Sequence, residues 1–186
     1  EFLVAHRDWE RPVGAHVGRA EVVTDAVERY ITHAISSVDE DLSGLRIAVD
    51  RGYGASAVTT PVALERLGAE VLSVNCDWTG MDINLDCGST QLGVVADLVR
   101  SSEFDLGIAH DGDADRVLAV DGTGADVDGD EIMAVCAVDM MDRSMLAHDT
   151  VVTTVMSNLG FEVAMRERGI NVIKTKVGDR YVLDQM

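Results

Sequence analysis

Hydrophobic positions along the chain follow two different periods. From Val22 to Ile35 apolar residues recur every three or four positions, which predicts an amphipathic helix. Short apolar runs bounded by glycine or charged residues predict strands at 45–50, 70–76, 104–110, 116–120, 151–156 and 171–177. Helical periods predict helices at 56–67, 90–101, 128–141, 157–168 and from 178 onward. Ser157 is the expected cap of one of these helices, and Ser89 and Thr90 either cap another or contact a neighbouring loop, with capping favoured.

The alternation of strands and helices predicts an α/β protein. We expect a mostly parallel sheet flanked by helices, followed by the start of a second, similar α/β domain. The polar stretch 142–149 is the predicted boundary, so the chain divides into a linker and helix at 1–37, a domain at 38–142 and a truncated domain at 143–186. Because the chain starts at Glu1 and its last helix has no stop signal, we expect a fragment.

The net charge of −18, from 33 acidic against 15 basic residues, excludes two classes of partner. Nucleic acid and anionic membrane surfaces would both be repelled. Such self-repulsion is tolerable in abundant salt, since the Debye length falls to about 3 Å at 1 M ionic strength. A halophilic source is therefore a hypothesis, and an acidic mesophilic protein is the alternative. We expect the free energy of unfolding to rise between low and molar salt, and a level value in urea titrations would contradict the hypothesis.

Cysteine usage and hydropathy indicate the compartment. Cys76, Cys87 and Cys136 are odd in number and show no C-x-x-C spacing, which argues against a zinc site or a redox pair. No signal peptide is visible, and no apolar run reaches the roughly 18 to 20 residues that a membrane span needs. We therefore expect reduced thiols in a cytoplasmic protein without a membrane segment.

Acidic charge is concentrated in six residues between two predicted strands. Asp111, Asp113 and Asp115 alternate with small residues there, and Arg116 follows them directly. Oxygen-only ligands of this kind suit a hard divalent cation, Mg²⁺ first, with Ca²⁺ or Mn²⁺ behind it. The arginine either pairs with an aspartate or binds a phosphate in a bidentate manner. The loop therefore predicts a metal site at which a phosphoryl group can be held.

The sequence of the loop has three other interpretations. A solvated turn with capping aspartates is disfavoured, because apolar strands fix both ends of the loop. An EF-hand needs glycine at its sixth position and glutamate at its twelfth, where this chain has Arg116 and Gly122. A phosphatase with an Asp-x-Asp nucleophile after a strand stays open. Replacing Asp111 separates it from a metal site, since losing a nucleophile abolishes a covalent aspartyl phosphate and losing a ligand only weakens metal binding.

The stretch His110-Asp-Gly-Asp-Ala-Asp-Arg116 resembles the metal loop of the α-D-phosphohexomutases. Four further stretches are similar to that superfamily in the same order: Ile83-Asn-Leu-Asp-Cys-Gly-Ser-Thr90, Val127-Asp-Gly-Asp-Glu-Ile-Met133, Val151-Val-Thr-Thr-Val-Met-Ser-Asn-Leu-Gly160 and Lys176-Val-Gly-Asp-Arg-Tyr-Val182. The resemblance covers nearly all of 22–186 and is greatest to the branch that acts on glucosamine phosphate.

This resemblance implies a four-domain enzyme that interconverts glucosamine 6-phosphate and glucosamine 1-phosphate through a phosphoserine and a bisphosphate intermediate. It implies that Mg²⁺ is held by Asp111, Asp113 and Asp115 and that Arg116 contacts the phosphate. Lys176 is implied as a general acid or base, with an ordinary surface lysine as an equal alternative. The segment 1–37 would be the end of the first domain, 38–142 the metal-binding second domain and 143–186 the start of the third.

Three motifs of the superfamily have no counterpart in the sequence. These are a phosphoserine loop of Thr-x-Ser-His-Asn-Pro type, a sugar loop of Glu-x-Ser-Gly-His type and the Arg/Ser/Gly/Thr phosphate loop of the last domain. We therefore expect the chain alone to be inactive and to bind a phosphosugar substrate only together with the missing domains. Its incomplete last domain is expected to form a homodimer with a second copy. A phosphomannomutase or phosphoglucomutase is the nearest alternative, and a non-enzymatic metal-binding module is a further one.

Overall fold

The structure, a computed structural model, describes residues 11–77 and 79–186, so the first ten residues of the predicted linker lie outside it. In this part the helices are α1 Ala26–Ile35, α2 Thr60–Arg66, α3 Gly93–Ser101, α4 Gly129–Asp142, α5 Leu159–Glu167 and α6 Asp179–Gln185. The strands are β1 Arg46–Asp50, β2 Glu70–Val74, β3 Leu106–His110, β4 Val117–Asp121, β5 Asp126–Val127, β6 Thr150–Thr154 and β7 Asn171–Thr175. Within the described residues no helix has both the length and the apolar character needed to cross a membrane.

The strands form two sheets, one of order β2-β1-β3-β4-β5 and one of β6-β7. Strand β1 pairs in parallel with β2 and β3, and β6 pairs in parallel with β7. Strands β4 and β5 are antiparallel to their neighbours, because short loops rather than helices connect them. The predicted α/β class with a mostly parallel sheet is confirmed, and the structure adds an antiparallel end to the first sheet.

Strand β1 is buried on both faces, since successive side chains of a strand point to opposite sides. Ala48 packs with Val95 and Val99 of α3 on one face. Ile47 and Val49 lie on the other face, in a cluster that Leu64 of α2 joins. Helices thus cover both faces of the parallel part of the sheet, and the carboxylate of Asp50, the last residue of β1, lies inside the protein at 0% exposure.

Several helices start at residues other than those predicted from the sequence. The helix predicted at 56–67 is a 3-10 turn at Ala55–Val58 followed by α2, which has a proline in its first turn. The prediction that Ser157 caps α5 is wrong: Asn158 accepts the hydrogen bond from the Phe161 N–H at 2.9 Å, while the Ser157 hydroxyl contacts the Thr153 hydroxyl. Helix α3 starts at Gly93 without a side-chain cap, so the favoured capping role of Ser89 and Thr90 is wrong too.

The apolar side chains of helix α4 pack against α5 and the second sheet, while the helix also contacts β4 of the first sheet. Its residue Ala137 forms a buried cluster with Phe161, Met165 and Ile170. The helix begins at a capping box in which Asp128 accepts the Glu131 N–H at 2.9 Å, and Glu131 accepts the Asp128 N–H at the same distance. The sequence-based division placed this helix in the 38–142 domain, whereas its apolar side chains contact the residues that follow 150.

Candidate metal centre

Residues 111–116, called the metal loop below, join β3 directly to the antiparallel β4. His110 lies opposite Val117 in the strand ladder. Inside the loop the Asp111 N–H donates to the Arg116 carbonyl at 3.4 Å, and the Ala114 N–H donates to the Asp111 carbonyl at 3.1 Å. Ala114 has a positive φ of 59°, which tightens the turn. Both ends of the loop are therefore fixed by the sheet.

The structure brings the three predicted ligands together. Carboxylate oxygens of Asp111, Asp113 and Asp115 lie within 4.8 Å of one another. The Asp111 side chain is buried at 1% exposure, whereas the other two are exposed. Three oxygen donors converging from one rigid loop fit a hard divalent cation. The three carboxylates could therefore hold a divalent cation.

Arg116 is the positive partner of the buried carboxylate. Its backbone N–H donates to Asp111 Oδ1 at 3.1 Å and its Nε donates to Asp111 Oδ2 at 2.7 Å. The same Nε lies 3.3 Å from an oxygen of Asp115. Burial raises the pKa of Asp111, but the hydrogen bonds from the Arg116 backbone, Asp115 and the guanidinium outweigh it, and the pKa is lowered. The hydrogen bond to Asp111 raises the pKa of Asp115, so negative charge is crowded in this loop.

Two glycine-containing segments, 51–55 and 84–90, contact the metal loop and are called the glycine loops. The Ala55 N–H donates to the Gly112 carbonyl at 2.8 Å. A Cβ on Gly54 would lie 2.1 Å from that carbonyl oxygen, and a Cβ on Gly112 would lie 2.3 Å from Ile83. No side chain fits between the backbones of Gly54 and Gly112, whereas the contact of Gly112 with Ile83 is with a side-chain methyl group. This contact was not predicted from the sequence, in which the glycines at 52 and 54 are the signal for a close approach of backbones.

A cavity of about 610 Å³ adjoins the metal loop. It lies between the part of the chain that contains the five-stranded sheet, called the first unit, and the part that contains α4 and the two-stranded sheet, called the second unit. Asp115 and Arg116 line it from the first unit, and Asp130, Met156 and Ser157 from α4 and the loop after β6. The Asn158 N–H donates to Asp130 at 2.8 Å, which holds the loop after β6 against α4. The remaining polar lining comes from a glycine loop, through Ser89 and Thr90. The alternative interpretation of Ser89 and Thr90, a contact with a neighbouring loop, stays a prediction.

Lys176, the other predicted catalytic residue, lies elsewhere. Its Nζ is 5.8 Å from the centre of the Tyr181 ring, its side chain is exposed, and it is not among the residues that line the 610 Å³ cavity. Lys174 is the lysine that reaches the loop after β6, where it donates to the Ser157 carbonyl at 3.2 Å and pairs with Glu162. The structure therefore joins the three aspartates and Arg116, and it does not join Lys176 to them.

His110 is at the end of β3, as the sequence analysis expected, and not in the carboxylate cluster. Its Nε2 lies 3.2 Å from the Thr60 hydroxyl. Burial lowers the pKa of His110, although the charges of Asp111 and Asp50 oppose the shift. The imidazole therefore contributes a neutral hydrogen-bonding contact between β3 and α2.

Family models match both units of the chain. Residues 28–124 match the model described as phosphoglucomutase/phosphomannomutase, alpha/beta/alpha domain II, and residues 128–186 match alpha/beta/alpha domain III of the same family. The chain belongs to the phosphoglucomutase/phosphomannomutase family. The resemblance to phosphohexomutases inferred from the five sequence stretches is thereby confirmed.

Individual members of the phosphoglucomutase/phosphomannomutase family agree with this result. The chain is 52% identical over 176 residues to a phosphoglucosamine mutase of Symbiobacterium thermophilum, covering 95% of this chain and 39% of the relative. It is 49% identical over 186 residues to that of Caldanaerobacter subterraneus subsp. tengcongensis, covering 100% and 42%. The crystal structure of a family protein from Burkholderia thailandensis superposes with a TM-score of 0.73 at 21% identity, over 86% of this chain and 35% of that one, and so shares the fold. The chain thus spans 39–42% of the length of these curated relatives.

Cys87 of this phosphoglucomutase/phosphomannomutase family member is expected to resist thiol reagents. Its side chain is 1% exposed, and burial, together with the charges of Asp50 and Asp86, raises its pKa to about 11. About a thousandth of this thiol is ionised at pH 8, so its attack on a disulfide reagent is slow. Labelling followed by mass spectrometry should modify the exposed Cys136 first, with all three cysteines reacting in urea as the control. Equal labelling rates for Cys87 and Cys136 in the folded chain would contradict this.

Proposed function

We propose that this chain forms the metal-binding part of a longer enzyme that interconverts glucosamine 6-phosphate and glucosamine 1-phosphate. The observation that carries the proposal is the cluster of Asp111, Asp113 and Asp115, whose oxygens lie within 4.8 Å, with Arg116 beside it. The names of the relatives at 49–52% identity support glucosamine phosphate as the substrate. Because the chain spans 39–42% of their length, the reaction belongs to the longer protein, and we expect no turnover from the chain alone.

The three aspartates would hold Mg²⁺, the cation that hard oxygen ligands of this number favour. When bound, this ion would neutralise charge on a phosphoryl group during transfer. Arg116 has the second role. Its backbone N–H keeps Asp111 in place, while its guanidinium, on a side chain that is 63% exposed, would exchange its contacts with Asp111 and Asp115 for phosphoryl oxygens and bind them in a bidentate manner.

The proposed reaction has two transfers. In the first, the bond between a serine oxygen and phosphorus breaks while a sugar hydroxyl oxygen bonds to the phosphorus and gives its proton to a base, which yields a sugar bisphosphate. In the second, the serine hydroxyl oxygen gives up its proton and bonds to the other phosphorus, the bond between that phosphorus and its sugar oxygen breaks, the sugar oxygen takes up a proton, and the isomeric monophosphate leaves. Lys176 is proposed as the proton-transferring group. Since its Nζ now lies 5.8 Å from the Tyr181 ring centre, this role requires the lysine to reach the sugar in the longer protein.

The same proposal extends to domain limits, location and partners. The packing of α4 and the family matches support a boundary at 125–128 in place of the one predicted at 142. Three free cysteines support a reducing, cytoplasmic location. An apolar surface on the second unit exposes Val155, Leu159, Val177 and Leu183 at 60–70%. The remainder of the longer protein, or a second copy of this chain, would cover that surface.

A chimera tests the proposal. The matching segment of the Symbiobacterium thermophilum phosphoglucosamine mutase is replaced by this chain, and turnover of glucosamine 6-phosphate is measured in a coupled assay. We expect turnover within about tenfold of the parent enzyme, because the replaced segment keeps every proposed metal and phosphate contact. The isolated chain, assayed in parallel, should show none. A folded chimera without activity would overturn the proposed role of the segment.

A further inference from the structure

The carboxylate of Asp50 is fully buried and accepts hydrogen bonds from three separate donors. Its Oδ1 accepts from the Gly52 N–H at 3.0 Å and from the Asn75 side-chain amide at 3.0 Å. Its Oδ2 accepts from the Gly88 N–H at 2.9 Å. The residue is 0% exposed. Each oxygen therefore holds a different glycine loop, although the two loops are far apart in the sequence.

The two glycines that Asp50 binds are in contact with the residue that precedes the metal loop. A Cβ on Gly52 would lie 2.9 Å from the carbonyl oxygen of His110, and a Cβ on Gly88 would lie 2.5 Å from the same oxygen. The glycines also contact each other, since a Cβ on Gly88 would be 3.3 Å from the Gly52 Cα. Three backbones thus meet at the end of β3, and the Asp50 carboxylate joins two of them.

A further set of contacts carries this arrangement to the metal loop itself. The Asn84 N–H donates to the Gly52 carbonyl at 2.9 Å, which joins the two glycine loops a second time. Ala55 then donates to the Gly112 carbonyl inside the metal loop at 2.8 Å. Gly88 leads directly into Ser89 and Thr90, which line the 610 Å³ cavity with Asp115. A shift of either glycine loop would therefore move a neighbour of the carboxylate cluster.

We infer that Asp50 is a positioning residue for the metal loop: it fixes the two glycine loops against which the backbone of residues 110–112 is held. The chemistry requires a carboxylate. Asparagine has a single acceptor oxygen, and its amide group would turn N–H bonds toward the N–H of Gly88 or of Gly52. The consequence for metal affinity rests on the proposed function, whereas the consequence for the order of the loop does not.

The test compares Asp50→Asn with Val49→Ala in the 186-residue chain. Val49 is 0% exposed in the same strand but belongs to the core cluster on the opposite face, so its truncation lowers stability without touching the glycine loops. Amide hydrogen exchange is followed by NMR in metal-free chain at Gly88, Ala114 and Arg116, relative to amides at the centre of β1. Mg²⁺ affinity is then measured by calorimetry.

For Asp50→Asn we expect the amide exchange rates at Gly88 and Arg116 to rise about tenfold relative to those of the β1 amides. We expect the affinity for Mg²⁺ to fall about 10- to 100-fold, as it does when other residues that support metal ligands are replaced. For Val49→Ala we expect no increase in this exchange ratio and a wild-type Mg²⁺ affinity, while the unfolding midpoint falls. Wild-type exchange ratios in Asp50→Asn, or the same increase in Val49→Ala, would overturn the inference. A wild-type chain that binds no Mg²⁺ would refute the metal assignment alone, since the exchange ratios still decide the role of Asp50.

A second variant applies if Asp50→Asn does not fold. Asn75 has a φ of 52°, which glycine adopts without strain, so Asn75→Gly removes one of the three donors and keeps the backbone. We expect the exchange ratio at Gly88 to rise about threefold, in the same direction as for Asp50→Asn. An unchanged ratio in this folded variant would count against the inference.

Discussion

Turnover of glucosamine 6-phosphate by the chimera is expected to fall about a hundredfold or more when Asp113 is replaced by asparagine. Asp113 is an exposed member of the carboxylate cluster, so the substitution removes a ligand charge without opening the core. Electrostatic stabilisation of a transferring phosphoryl group is the largest contribution that this segment can make to the rate. The measurement is the turnover number at saturating Mg²⁺, together with Mg²⁺ affinity of the isolated chain.

Asp142→Asn provides the matched control for this prediction. It makes the same change of charge at an exposed position, the last residue of α4, outside the metal loop. Its turnover and Mg²⁺ affinity should equal those of the parent chimera. If Asp113→Asn keeps full turnover, the carboxylate cluster is not the metal site of the enzyme. If both variants lose activity equally, the effect comes from net charge and not from a ligand.

Replacing Gly54 with alanine is expected to destabilise the chain by about 1–3 kcal/mol and to weaken Mg²⁺ binding. The added Cβ would lie 2.1 Å from the Gly112 carbonyl oxygen, which is backbone and cannot turn away as a side chain would. Forcing extra volume into a packed contact costs about that much. The displaced carbonyl would also lose its hydrogen bond from the Ala55 N–H. Urea denaturation measures the first effect and calorimetry the second.

Gly93→Ala separates this contact from a general effect of glycine replacement. A Cβ on Gly93 meets no atom within 4 Å, and the residue is the first of α3. Alanine there should leave stability unchanged or raise it by up to about 1 kcal/mol, because glycine disfavours a helix. Mg²⁺ affinity should not change. A Gly54→Ala chain as stable as Gly93→Ala would show that the two backbones are not in the contact described.

The hydrophobic pattern predicted most of the elements that place the site. The runs 45–50, 70–76 and 104–110 contain β1, β2 and β3, and the acidic loop follows β3 as expected. Strand β1 could be predicted because a strand buried on two faces has a continuous apolar sequence. Strand β5 could not be predicted, since a pairing of two residues leaves no periodic signal. The prediction of one continuous helix at 56–67 did not take into account that Pro61 favours the first turn of a helix, which here is the start of α2.

Contacts between distant segments account for the rest of what sequence alone did not provide. Asp50 and Gly88 are 38 positions apart, and nothing in the spacing of either residue shows that one binds the other. The packing partners of α4 could not be predicted either, because the apolar side chains of this helix could pack against either sheet and only the tertiary structure decides between the two. The predicted cap Ser157 was displaced by its neighbour Asn158, since its hydroxyl is taken up by Thr153. Local chemistry predicted the ligands, and tertiary contacts fixed their surroundings.

The pairing of His110 with Val117 limits how this segment can change over evolutionary time. The turn between them contains six residues, and both strands that it joins belong to one sheet. One inserted or deleted residue would turn each β4 side chain to the opposite face and would take Val120, which is 1% exposed, out of the core. Substitutions in the loop are limited by its chemistry and by the close packing of Gly112. Its length, by contrast, is set by the register of the sheet, so gaps are excluded here even where residue identities diverge.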